Sequence, residues 1–139
     1  MTIVKHPQDI IPLIQKYSNK RQEHFGVICV GPEMEVLGVK VLFVGSEHNS
    51  IVDSKMIFWY ALSKKASSII LFHNHPSQNL IPSELDIDLT KNINQACHYV
   101  GVKLLDHLII GKYAYYSFLE HDLVLKKDKE ENKVAEVTK

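Results

Sequence analysis

Apolar positions along the chain change period from segment to segment, and the changes mark out its elements. Ile10, Ile11, Leu13, Ile14 and Tyr17 recur at helical spacing behind Pro7, which predicts a short amphipathic helix from about Pro7 to Ser18. A polar stretch, Asn19 to Gln22, leads into His24-Phe25-Gly26-Val27-Ile28-Cys29-Val30, an apolar run that stops at Gly31-Pro32 and reads as a buried strand. Val36 to Val44 reads as a second strand, so the pair should form a hairpin around Gly31 to Glu35. Gly45 to Ser50 is a polar loop, after which Asp53 or Ser54 can cap a helix carrying Met56, Ile57, Tyr60, Ala61 and Leu62.

The run Ser68 to Phe72 has the length of a strand and ends directly in His73-Asn74-His75-Pro76. A loop from Ser77 to Pro82 precedes a second helix with apolar positions Leu85, Leu89, Ile93, Ala96, Cys97 and Val100, and Gly101 stands where a left-handed cap is expected. Two further strands, Lys103 to Ile110 and Tyr113 to Phe118, flank Gly111-Lys112, where glycine in the first loop position suits a type II′ turn. The order β-β-α-β-α-β-β behind an N-terminal helix implies an α/β (α+β) single domain, one mixed sheet with helices packed on it. That domain spans residues 1–125, and the charged stretch from Lys126 to Lys139 reads as a frayed tail or solvated helix.

Composition narrows the class. A chain of 139 residues has room for one core, and 45% apolar with 23% charged residues excludes wholesale disorder. Sixteen basic and sixteen acidic side chains cancel, so net charge gives no support to DNA association, which draws on Lys and Arg against phosphate. Cys29 and Cys97 form no C-x-x-C pair and read as two buried free thiols. The N-terminus has no long apolar core of a signal peptide, and no run approaches the roughly eighteen apolar residues of a membrane span. A cytoplasmic protein is expected, and oligomeric state is not legible.

The chemistry concentrates after the third strand. His73 and His75 are two residues apart at a strand end, so both imidazoles point the same way and can reach one ion. Pro76 stops the strand, and Asp86 arrives in the first turn of the next helix. Two imidazoles and a carboxylate make three zinc ligands and leave a fourth tetrahedral position for water. The same residues allow a plainer account: Ser83 and Asp86 have S-x-x-D spacing, so Asp86 could simply complete a capping box at the helix start.

The string His73-Asn74-His75-Pro76-Ser77, followed by Pro82-Ser83 and Asp86, resembles the H-x-H-x7-S-x2-D signature of the JAMM metallopeptidases, the JAB/MPN domain. More narrowly it is similar to the bacterial RadC family, whose motif reads His-Asn-His-Pro-Ser-Gly, and Leu104 to Gly111 is similar to that family's closing segment. The similarity runs from about Glu23 to Leu123. It implies the MPN/JAB (cytidine-deaminase-like) fold, a mixed curved sheet flanked by helices. It also implies a zinc-dependent hydrolase of peptide or isopeptide bonds acting on a peptide or protein substrate, with a historical link to DNA repair. Zinc would be held by His73, His75 and Asp86, and would lower the pKa of its water.

The resemblance further implies that Glu23, just before a Phe-containing strand, is the general acid/base, and that Ser83 donates a hydrogen bond to the developing oxyanion. Ser83 would then serve two roles with one hydroxyl. Glu33 and Glu35, in the hairpin turn, fit the glutamate's place poorly, and His107, after Asp106, is read as a structural or outer-sphere histidine. His6, His24, His48, His98 and His121 show no ligand spacing.

Two departures stand out. Gln78 occupies the place of the family's usual glycine, so the loop beside the histidines is expected to take a different path. Val52-Asp53-Ser54-Lys55 replaces a His-Pro-Arg-Glu-like stretch, which alters the substrate-facing surface. Only about twenty residues precede Glu23, so the helix-hairpin-helix region of full-length RadC proteins is expected to be missing, and a DNA-repair role carried by that region does not transfer with the resemblance. Two other metal or nuclease readings fail: the tripeptide His73-Asn74-His75 lies on one strand, unlike the dispersed residues of the similarly named nucleases, and a deaminase needs H-x-E with P-C-x-x-C. The alternative to a hydrolase is a non-catalytic MPN module in a protein or DNA-repair assembly.

Overall fold

Five strands in the order β2-β1-β3-β4-β5 make one mixed sheet in the computed structural model, which describes residues 1–46 and 52–127. β1 (Glu23–Val30) pairs antiparallel with both β2 (Val36–Gly45) and β3 (Ser68–Asn74). β3 runs parallel to β4 (Lys103–Ile110), and β5 (Tyr115–Ser117) closes the far edge antiparallel to β4. The parallel pair needs a crossover, and α3 (Glu84–Val100) supplies it. The single α/β domain expected from the residue pattern is the one observed.

Every residue of β3 is buried, because both faces of the sheet are covered. On one face Phe25, Val27, Cys29, Ile69 and Leu71 pack with Ile57, Tyr60 and Ala61 of α2 (Ser54–Ser63) and Ile93 and Cys97 of α3. On the other face Ile28, Val30, Ile70 and Phe72 meet Val4, Ile10 and Ile14 of the N-terminal segment. Alternation along β3 therefore sends His73 towards the α2/α3 face and Asn74 towards the N-terminal segment. Both cysteines are free and buried, as their spacing implied. Among the described residues no helix is long and apolar enough to cross a membrane.

Several elements depart from the sequence expectations for local reasons. The N-terminal helix is broken into a 3-10 turn (Pro7–Asp9), α1 (Ile11–Ile14) and a second 3-10 turn (Gln15–Tyr17). Pro12 has no N–H to donate, so the chain restarts with this proline in the first turn of α1, where no donor is needed. β3 continues through His73 and Asn74, and Glu23 is the first residue of β1, not a residue ahead of it. Asp53, not Ser54, caps α2, its Oδ1 accepting from the Lys55 N–H at 2.9 Å.

The type II′ turn at Gly111-Lys112 is not formed. Gly101 is the only described glycine with positive φ, and the β4–β5 connection is wider, closed by Gly111 N–H donating to the Ala114 carbonyl at 2.8 Å. Gly111 lies against the loop that leads from the histidines: a Cβ there would be 2.9 Å from Leu80 Cδ2 and 3.1 Å from Gln78 Oε1. Gly101 does cap α3 with φ 84°, its N–H donating to Cys97 O at 2.9 Å. Part of the polar loop at 45–50 and most of the charged tail at 126–139 lie outside the described residues.

Candidate metal centre

The end of β3 and the start of α3 bring His73, His75 and Asp86 together, a trio that could hold a metal ion. His73 Nε2 lies 3.0 Å from His75 Nε2 and 3.3 Å from Asp86 Oδ1, and His75 Nε2 lies 3.0 Å from Asp86 Oδ2. His73 is fully buried, with His75 at 3% and Asp86 at 9% exposure. His75 Nδ1 sits 2.6 Å from the Asn79 carbonyl, which can only accept, so neutral His75 carries its proton on Nδ1 and leaves Nε2 bare towards the trio.

Asp86 serves both accounts of its position at once. Its Oδ2 accepts from the Ser83 N–H at 2.9 Å while the Ser83 hydroxyl oxygen accepts from the Asp86 N–H at 3.1 Å, a complete capping box. The box holds the carboxylate against the two imidazoles, so capping positions the group and does not divert it. Ser83 contributes a lone pair to the cap, and its proton is not spent there.

Burial opposes ionisation of Asp86, but the neighbouring His73 and His75 rings and the Ser83 N–H outweigh it and hold the carboxyl below the usual carboxylate range. For His75 burial favours the neutral ring, yet the bonds to Asp86 and the Asn79 carbonyl, with the charges of Asp86 and Glu23, raise its pKa above the ordinary value. A carboxylate held ionised beside an imidazole whose charged form is favoured makes a place that suits a cation.

Glu23 is buried at 6% exposure and stands on the same face as these groups. Phe25 pairs with His73 across β1 and β3, so two residues earlier Glu23 is level with His75 in the antiparallel register. Its charge is close enough to act on His75. Glu33 and Glu35 remain in the β1–β2 turn, where the Glu35 carboxylate accepts from the Glu33 N–H at 2.9 Å.

Of three further contributors, sequence reasoning missed Asn74 and Thr90 and noted Gln78 only as a departure that would redirect the loop. Asn74, fully buried between the two histidines, accepts from the His24 N–H at 2.6 Å and donates to the carbonyls of Lys20 and Gln22 at 3.3 and 3.1 Å. It clasps the segment that carries Glu23, and its place between two same-face residues was the available signal. Gln78 has φ 66°, the left-handed backbone that glycine favours, and its side chain donates to Ser18 O at 3.0 Å and accepts from Lys112 N–H at 2.7 Å. The loop thus keeps a glycine-like backbone, with an added bridge between the N-terminal segment and the β4–β5 connection.

Thr90 is the third, one turn beyond Asp86 on α3. His107 reaches the trio from β4: its Nε2 lies 2.8 Å from His73 Nδ1 and its Nδ1 lies 2.7 Å from Thr90 Oγ1. Register shifts between Ile69 and Ile70 against β4, so that Ile69 faces Leu104 and Ile70 faces Asp106. The extra residue, Leu105, is a bulge that changes which β4 side chains face α3, and His107 is turned inward by it. Burial, followed by the nearby His73, puts the His107 pKa well below the ordinary value. His24 stacks on Tyr17, and His48 lies outside the described residues.

A family profile described as RadC-like JAB domain matches residues 4–123. The match begins at Val4, ahead of Glu23, and so takes in the N-terminal segment that packs on the sheet. A UPF0758 protein of Streptococcus suis (strain 98HAH33) is 39% identical over 115 residues, covering 82% of this chain and 47% of its own length. One from Streptococcus thermophilus (strain CNRZ 1066) is 42% identical over 102 residues, 73% of this chain and 45% of that one. Another, from Clostridium kluyveri (strain ATCC 8527), is 38% identical over 119 residues, 85% of this chain and 52% of the relative. The chain spans about half the length of the curated relatives it matches.

Proposed function

This chain belongs to the RadC-like JAB domain family, and from that premise we propose that it is a zinc-dependent hydrolase of peptide or isopeptide bonds. The observation that carries the reading is the convergence of His73 Nε2, His75 Nε2 and the Asp86 carboxylate, with Glu23 level with His75 on the neighbouring strand. Tetrahedral bonds of about 2.0–2.1 Å space ligand atoms roughly 3.3 Å apart. The contacts here are 3.0 to 3.3 Å. Two imidazoles and one carboxylate, with no thiolate, are the ligand types of a catalytic zinc site that keeps a position open.

Zinc in that position supplies Lewis acidity, making water beside it acidic enough to lose a proton near neutral pH. The protein's part begins with Glu23, which takes that proton and returns it to the leaving amine. Ser83 uses the proton left over from its cap to hydrogen-bond the carbonyl oxygen as negative charge develops, a contribution of about 3 kcal/mol in comparable sites. Asp86 is fixed by its capping box, and His75 by the Asn79 carbonyl, so the site needs little rearrangement to act. A peptide or protein substrate is the partner we infer from the family resemblance, and the net charge of zero gives DNA association no support. The free buried thiols accord with a cytoplasmic setting.

Metal analysis of the purified protein and of His75→Ala tests the site, and a peptide-library cleavage screen with Glu23→Gln as control tests the chemistry. Stoichiometric zinc that is lost in His75→Ala, with cleavage lost in Glu23→Gln while zinc remains, is the expected pattern. Wild-type protein that takes up no zinc on reconstitution sinks the hydrolase. Zinc bound equally by wild type and Glu23→Gln, with neither cleaving anything, turns the reading to a non-catalytic module.

A further inference from the structure

We propose that His107 and Thr90 are positioning residues that set the tautomer of His73, forcing its Nε2 to be the bare, ligating nitrogen. The inference rests on the metal reading of the trio but concerns groups outside it.

The argument is donor and acceptor arithmetic. The Asp86 main-chain carbonyl can only accept, and the Thr90 hydroxyl donates to it at 2.6 Å. A hydroxyl has one proton, so at its 2.7 Å contact with His107 Nδ1 the Thr90 oxygen must accept. His107 therefore carries its proton on Nδ1. Its ring is fully buried, stacked on Phe118 at 4.7 Å and edged by Phe25 at 5.8 Å, and among the described residues its nitrogens meet only Thr90 and His73. Among the described residues no carboxylate touches the ring to hold a second proton, so Nε2 is bare and accepts. The 2.8 Å contact then obliges His73 to donate from Nδ1. A neutral His73 has no second proton, so its Nε2, the atom aimed at His75 and Asp86, is left bare.

The relay closes a loop between two of the three candidate ligands. It starts at the main chain of Asp86, crosses from α3 to β4 through Thr90 and His107, and ends on the ring of His73 on β3. Metal-binding histidines ordinarily hand their other N–H to a carboxylate, a carbonyl or water. Here the acceptor is a neutral imidazole, which orients the ring without adding negative charge beside Asp86. The β4 bulge at Leu105 is what makes this acceptor available.

Long-range proton–nitrogen correlation spectra of the full chain, labelled with nitrogen-15 in histidine and held near pH 8 without metal, read the tautomers directly. His73 and His107 should both carry the proton on Nδ1. A His107 protonated on Nε2 would overturn the proposal, and this readout does not depend on whether zinc ever binds. The second arm is zinc affinity by chelator competition in Thr90→Val, with Thr90→Ser as the conservative rescue. Loss of such an outer partner is expected to weaken binding about 10- to 100-fold, with His73 shifting towards the Nε2–H form and Ser restoring both. Folding is checked by near-UV circular dichroism. Thr90→Val that stays folded and keeps both the wild-type tautomer and the wild-type affinity refutes the relay. Absence of zinc binding in the wild type itself would instead count against the hydrolase while leaving the tautomer result standing.

Discussion

Asn74 shows how much a single side chain can arrange. It is fully buried and spends three hydrogen bonds on residues 20 to 24, so the start of β1 is tied to the end of β3 by more than the ladder. Asn74→Ala should cost about 1–3 kcal/mol in urea unfolding. The His24 amide should exchange far faster while zinc content stays near wild type. Gln78 offers a second test, because its backbone and side chain pull in opposite directions. Gln78→Ala loses the bridge between Ser18 and Lys112 and keeps a Cβ at φ 66°. Gln78→Gly also loses the bridge but relieves the left-handed strain, so it should be the more stable of the two by about 1 kcal/mol, as equilibrium unfolding would reveal. His73 and His75 were legible from spacing, because period two on a strand is a local rule, whereas Asp86 had a capping box as an equal account and was singled out only by the family resemblance. Thr90 and His107 were not legible, since their pairing is a contact across elements that no local period encodes.

Among the elements, α3 follows its sequence signals most closely, from the Ser83 cap to the Gly101 terminus. A Cβ at Gly101 would meet nothing within 4 Å, so substitution there isolates the backbone cost of φ 84° from any clash. Gly101→Ala should lower stability by about 1 kcal/mol in thermal or urea unfolding, with zinc binding unchanged. The strands β1, β3 and β4 were equally readable, because burial on both faces gives near-continuous apolar runs. Two features escaped for physical reasons. Pro12 broke a helix whose apolar spacing was otherwise regular. Gly111 had the composition of a tight turn, yet the connection is a wider one closed on the Ala114 carbonyl, a geometry that leaves no local trace. The bulge at Leu105 is similar: Leu104-Leu105 looks like two ordinary strand residues, and only pairing with β3 shows that one of them is extra.

For the molecule as a whole, the buried histidines predict how metal-free stability depends on pH. His107 has its folded pKa lowered well below 6.5 by burial, so its contribution is present above about pH 6.5 and is lost as pH falls towards that lowered value. His75 has its folded pKa raised above 6.5, so its contribution is complete below 6.5 and is lost as pH rises through the raised value. Asp86, with its pKa lowered, holds its contribution across this range and loses it only in strong acid. Chelator-treated protein should therefore be most stable near pH 6.5 and weaken on both sides, measured by urea unfolding at pH 5.5, 6.5 and 8. Zinc should abolish the alkaline decline, because the ion then stands where the proton did. A steady gain in metal-free stability from pH 6.5 to 8 would contradict the raised pKa of His75. The alternation of His73, Asn74 and His75 has a last consequence, for folding. A slip of β3 by one residue would exchange its two faces, turning both imidazoles away from Asp86 and Asn74 away from residues 20 to 24. On the proposed reading, metal uptake then rewards one strand alignment over its neighbours, and zinc acts on the nascent sheet as a proofreader of registry.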